Sequence, residues 1–117
     1  MDLNGDYIYV ATRDVGLQIV DISNPQSPRQ AGSVSLPYGA LMVSSDGDYA
    51  AVWAEKLYIV DVRDKVNPVI IGSYRRDDLM ADKIILSGNR VYIRGAWIEQ
   101  NGYYNGLYIV DIKEPAQ

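Results

Sequence analysis

The chain has no cysteine and no histidine among its 117 residues. The first absence excludes disulfides, zinc–thiolate sites and thiol nucleophiles within this sequence. The second removes the side chain most used for proton transfer near neutral pH and for holding transition metals. No apolar run approaches the roughly 20 residues needed to cross a bilayer as a helix. The first residues do not follow the charged-then-apolar pattern of an export signal. A dense basic surface is missing too. Eleven basic residues face fifteen acidic ones, for a net charge of −4, and the one basic pair, Arg75-Arg76, is followed at once by Asp77-Asp78. Nucleic acid and anionic membrane both select for basic patches, so neither is expected as a partner. An apolar content of 48% with 22% charged residues is that of an ordinary folded chain.

What the chain does have is repetition. Gly16-Leu17-Gln18-Ile19-Val20-Asp21-Ile22 returns as Lys56-Leu57-Tyr58-Ile59-Val60-Asp61-Val62 and again as Gly106-Leu107-Tyr108-Ile109-Val110-Asp111-Ile112. A second phrase precedes each copy: Gly5-Asp6-Tyr7-Ile8-Tyr9-Val10, Gly47-Asp48-Tyr49-Ala50-Ala51-Val52 and Gly88-Asn89-Arg90-Val91-Tyr92-Ile93. Asp21 and Asp61 lie 40 residues apart, and the leading glycines recur at intervals of 42 and 41. A fixed period of this size is the mark of a repeat architecture.

The local pattern is strand throughout. Short runs of Tyr, Ile and Val alternate with Gly, Asn, Asp, Ser and Pro, and no helical period is sustained. The runs are nearly continuous in apolar residues, as in Ile19-Val20 and Ile59-Val60, which implies burial on both faces. Short antiparallel strands covered on both sides, with a period near 40, fit the four-stranded blades of a β-propeller. The expected fold is all-β: a partial propeller of about two and a half four-stranded antiparallel blades. The units fall at about 1–38, 39–78 and 79–117. The first is expected to lack most of its innermost strand (a) and the third its outermost (d).

Gly-Asp/Asn before strand b, Gly-Leu-x-Ile-Val-Asp-Ile on strand c, and the Asn-Pro and Gly-Ser that follow it together resemble the LVIVD repeat family of propellers. Ser87-Gly88-Asn89-Arg90-Val91-Tyr92 also resembles related secreted proteins with a C-terminal propeller. The resemblance implies an extracellular or cell-surface location and implies no single activity. Propellers close with four or more blades. Fewer than three are present, so either self-association or the remainder of a larger propeller is expected to cover the ends, and a fragment is the favoured reading.

Asp21, Asp61 and Asp111 each end a c strand. They are read as caps of the following turn rather than as catalysts or metal ligands, because they lie on separate units. Gly5, Gly47 and Gly88 suit tight turns that need positive φ. No helix and no lysine follow them as a phosphate loop would require. The third b-to-c segment is the informative one. Asp61 to Asp111 spans 50 residues, so ten have been added within 95–105. Trp97, Tyr103 and Tyr104 in that insertion offer stiff amphipathic contact area. In a four-stranded meander the b–c and d–a connections share one end, which groups these aromatics with Arg75, Arg76 and Tyr38. Such a surface suits a protein, peptide or sugar partner. A hairpin extension packing on the neighbouring blade is the equal alternative. Asp77, Asp78, Asp82 and Glu99 match no known cation loop and are read as a solvated acidic patch. No cofactor, metal or catalytic residue is assigned. The expected function is a non-enzymatic binding module; the alternative is part of a propeller enzyme or ligand-binding protein with its site in the central channel.

Overall fold

A computed structural model describes residues 2–37, 39–74, 79–99 and 102–112; for 79, 97–99 and 102–105 it gives the backbone alone. Among these residues there are eleven strands: β1 Asp2–Asn4, β2 Tyr7–Ala11, β3 Gly16–Asp21, β4 Arg29–Ser35, β5 Met42–Asp46, β6 Tyr49–Trp53, β7 Leu57–Asp61, β8 Val69–Tyr74, β9 Leu79–Ser87, β10 Arg90–Glu99 and β11 Gly102–Asp111. Among the described residues there is no helix. The strands form three antiparallel meanders in chain order, β1 to β4, β5 to β8 and β9 to β11. These are the blades of a partial propeller. The first blade does have its innermost strand, three residues long and paired through Asp2↔Tyr9, Leu3↔Ile8 and Asn4↔Tyr7. The third has three strands among the described residues.

The repeated letters make repeated geometry. Gly5, Gly47 and Gly88 all sit at φ near +60°, in the turns that lead into the b strands. A side chain would be strained there, which explains why glycine recurs. Ile22, Val62 and Ile112 each donate a backbone N–H to the carbonyl just before strand b, of Asp6, Asp48 and Asn89, at 2.7, 2.8 and 2.7 Å. The c–d pairing slips by one residue at Ile19/Val20 and again at Ile59/Val60. An extra residue on the outer strand raises the local twist at the same place in both blades.

The core forms two layers, one on each side of the middle sheet. Tyr9, Leu17 and Ile19 of the first blade cluster with Ala50, Val52, Val60 and Val62 of the second. Ala51, Trp53, Leu57 and Ile59 of the second cluster with Ile84, Leu86, Val91, Ile93 and Ile112 of the third. Successive residues on a strand point to opposite faces. Ile59 and Val60 are therefore both fully buried, one against each neighbour. Two-sided burial holds only for the middle blade. Val20 is half-buried, and Ile109 is 50% exposed. The expectation drawn from Ile19-Val20 fails for a physical reason: an end sheet has one neighbour.

Polar contacts stitch the innermost strands together. The Asp2 carboxylate accepts from the Ser45 N–H and hydroxyl, both at 2.6 Å. Ser44 Oγ accepts from the Leu86 N–H at 2.9 Å. Near the c–d turn of the second blade, Lys65 Nζ lies 5.4 Å from the ring centre of Tyr7, reaching back over the first blade.

Truncating a side chain buried between two sheets leaves a cavity, whereas an exposed valine on β8 leaves none. Ile59→Ala is expected to lower stability by about 2–5 kcal/mol and Val69→Ala by less than about 1 kcal/mol. Urea denaturation of the two variants measures the difference.

Candidate functional site

Three groups of residues were candidates from sequence. The aspartates that end the c strands are local caps. Asp21 Oδ1 accepts the Ser23 N–H at 2.8 Å, and Asp61 Oδ1 accepts the Arg63 N–H at 3.0 Å. Asp61 also holds the Arg63 guanidinium, with Nη2 to Oδ2 at 2.6 Å. The Ser23 N–H and hydroxyl hold the Asp21 carboxyl below the usual carboxylate range, aided by the charge of Arg29. For Asp61 the chief cause is the Arg63 side-chain hydrogen bond, and the same pairing pushes the guanidinium of Arg63 up. Residue 113, which would follow Asp111 and Ile112, lies outside the described residues, so the turn that Asp111 would cap does too. A carboxylate that accepts from the turn following it has the arrangement of a structural cap.

The second group is the insertion. It continues the sheet as a hairpin rather than leaving it as a loop. Strands β10 and β11 pair without interruption from Arg90↔Asp111 to Glu99↔Gly102, passing through Gly95↔Gly106, Trp97↔Tyr104 and Ile98↔Tyr103. The backbone thus takes the path of the hairpin-extension reading. Trp97 and Tyr104 are directly opposed in the ladder, and Tyr103 is opposite Ile98. Among the described residues strand β9 accompanies β10 as far as Trp97↔Leu79. The aromatic side chains themselves lie outside what is described.

Sequence reasoning missed the device at the root of this extension. Asp82 is an extra residue in β9, where the pairing slips between Arg94↔Lys83 and Gly95↔Ala81. The bulge coincides with Gly95, whose backbone runs so near Met80 that an added Cβ would stand 2.4 Å from the Met80 carbonyl oxygen. Glycine is required for that approach. Across the bulge Arg94 Nε donates to Asp82 Oδ1 at 2.9 Å, on an exposed surface where such a pair contributes little stability. The signal in the sequence was the matched pair Gly95 and Gly106, at equal distances from the midpoint of the insertion.

The third group, Tyr38, Arg75 and Arg76 with Asp77 and Asp78, lies outside the described residues. The segments that flank them are informative. Ala40 N–H donates to the Thr12 carbonyl at 2.7 Å and Leu36 N–H to the Val15 carbonyl at 2.8 Å, which ties the first d–a connection to the first b–c turn. Asp82 is paired with Arg94, so of the residues considered as a cation site it has its own partner. Among the described residues no helix is long and apolar enough to cross a membrane.

Three stacked meanders with one repeated strand signature define a β-propeller repeat protein. The family model of the LVIVD repeat matches residues 1–35, 40–76 and 80–117, nearly the whole sequence, and the chain belongs to that family. No curated protein matches it.

Both caps have depressed carboxyl pKa values in the folded chain, so the sign follows from linkage. Their contribution is complete above about pH 4, the ordinary carboxylate range, and is lost as pH falls through the folded values. The urea midpoint is expected to drop on acidification below about pH 4, and the double variant Asp21→Asn, Asp61→Asn to flatten that drop. Urea titrations at a series of pH values read it directly.

Proposed function

We propose that the chain is a non-enzymatic propeller module that binds a protein, peptide or sugar partner through the end carrying its b–c and d–a connections. The observation that supports this most is the ten-residue addition to the third unit. It lengthens the β10–β11 ladder by five pairs beyond Arg94↔Leu107, and Trp97, Tyr103 and Tyr104 belong to those pairs. A blade needs no such extension to complete its core, because Val91, Ile93 and Ile112 are already buried without it. Rigid aromatics on a lengthened ladder supply contact area at little entropic cost, and residues of this type dominate binding energy where they meet a partner. Tyr38, Arg75 and Arg76 belong to the same proposed surface. The reading includes a location outside the cell or on its surface. It also includes cover for the end sheets, from self-association or from the remainder of a larger propeller.

The triple variant Trp97→Ala, Tyr103→Ala, Tyr104→Ala tests the surface. Peptide and glycan arrays are probed with the original chain and the variant, and the strongest hits are titrated. Loss of binding by about thirtyfold or more, with an unchanged melting temperature, is the expected result. Equal affinity of the two proteins for every hit would contradict it.

A further inference from the structure

The two end faces of the stack differ, and the difference has a direction. In each blade, one face presents a b-strand residue and two c-strand residues forward, toward the next blade. These are Tyr9, Leu17 and Ile19 in the first blade and Ala51, Leu57 and Ile59 in the second, all 1% exposed or less. In the third blade the same places hold Tyr92, Leu107 and Ile109. There Leu107 is 58% exposed and Ile109 50%. The opposite faces behave in the reverse way. Ala50, Val52, Val60 and Val62 of the second blade are fully buried against the first, and Val91, Ile93 and Ile112 of the third are 2% exposed or less against the second. Their counterparts Ile8, Val10, Val20 and Ile22 in the first blade are only half-buried. One end therefore carries an unused forward face and the other an unused rear face, each of the kind that its counterpart covers twice within the chain.

The innermost strands add an independent match. By register, Asp2, Ser44 and Ile85 occupy one forward position, opposite Tyr9, Ala51 and Tyr92. Leu3, Ser45 and Leu86 occupy the corresponding rear position, opposite Ile8, Ala50 and Val91. Within the chain the forward residue is polar, and it accepts a hydrogen bond from the next blade's rear residue: Asp2 from Ser45, then Ser44 from Leu86. At the free ends both members change character together. The forward residue is Ile85, 47% exposed, and the rear residue is Leu3, 66% exposed. An isoleucine offers no acceptor, but it suits a leucine. The depression in front of the third sheet, about 1020 Å³ between Met80, Ile85, Tyr92, Arg94 and Leu107, is on this account the slot for a rear face rather than for a small molecule.

We infer that the forward face of the third sheet docks on the rear face of the first sheet of a second copy, continuing the two interfaces already present within the chain. Contact between unlike faces closes when the rotation returns to its start. With two copies, each face meets its complement and six sheets form one ring, within the four to eight blades that propellers use. The junction is tested at Leu107, Val20 and Leu3 and the binding reading at Trp97, Tyr103 and Tyr104, so the two fail separately: one in ligand titrations, the other in mass.

Light scattering coupled to size-exclusion chromatography of the 117-residue chain is expected to give one species at twice the 13.1 kDa of a single copy. Leu107→Asp on the forward face and Val20→Asp on the rear face are each expected to give monomers with the original circular dichroism. Leu3→Asp provides a second rear-face variant at a site already open in one copy. Mixing Leu107→Asp with either rear-face variant leaves one intact junction and is expected to restore the dimer. A monomeric original chain would overturn the inference. So would a dimer that the rear-face variants leave unchanged, since that would be forward face on forward face. A mixture that stays monomeric would overturn it as well.

Discussion

Everything in this structure depends on the stacking of sheets that are apolar on both faces. A strand that reads Leu-x-Ile-Val-Asp has no side to turn toward water: Ile59 faces the third sheet, Val60 faces the first, and both are wholly buried. Burying such a side chain is worth roughly 1.5–3 kcal/mol, and a sheet left alone would forfeit this on both faces. The repeat is therefore a unit that is unstable by itself and stable between neighbours. The polar stitches from Asp2 and Ser44 align the innermost strands but do not drive the stacking. The capped turns at Asp21 and Asp61 finish the c strands locally, which frees the rest of each unit to vary.

That freedom is where the third unit departs from the others. Its b and c strands begin with the same pairing as their counterparts, Arg90↔Asp111 beside Tyr49↔Asp61 and Tyr7↔Asp21. They then continue for five further pairs beyond Arg94↔Leu107, whose counterparts Trp53↔Leu57 and Ala11↔Leu17 end the ladder in the other blades. A ladder can be lengthened without disturbing the stack, because the new pairs lie past the end of the apolar face. The bulge at Asp82 and the close passage of Gly95 by Met80 mark the boundary between the two. A fold that confines its variation to one end has a natural place for recognition, and the proposed binding role rests on that separation.

Much of the fold was legible because the same physical problem is solved three times in one chain. Gly5, Gly47 and Gly88 announce one turn geometry, and Asp21 and Asp61 announce one cap. What the letters did not carry was context. Ile19, Ile59 and Ile109 are identical residues in one motif, yet the first two are fully buried and the third is half open. A residue's own identity says that it seeks cover, not whether a neighbour supplies it. The insertion stayed open between a contact surface and a hairpin extension for a related reason. Gly95, Asn101, Gly102, Asn105 and Gly106 look like breakers along the chain, but Gly95 and Gly106 face each other across a ladder. Symmetry about the middle of the insertion, rather than local propensity, was the usable signal. Of the candidate site, the capping role of Asp21 and Asp61 was legible from their position at the strand ends, whereas the bulge at Asp82 involves a pairing partner on β9 and no local pattern reveals it.

The layered arrangement makes adjacent residues on one strand report on different neighbours. Methyl-to-methyl nuclear Overhauser contacts in a selectively labelled sample test this directly. Ile59 methyls should see Ile84, Ile93 and other methyls of the third sheet and none from Leu17 or Ile19, while Val60 methyls should see the first sheet and none of the third. If Ile59 and Val60 instead share one set of neighbours, the sheets are not stacked as described.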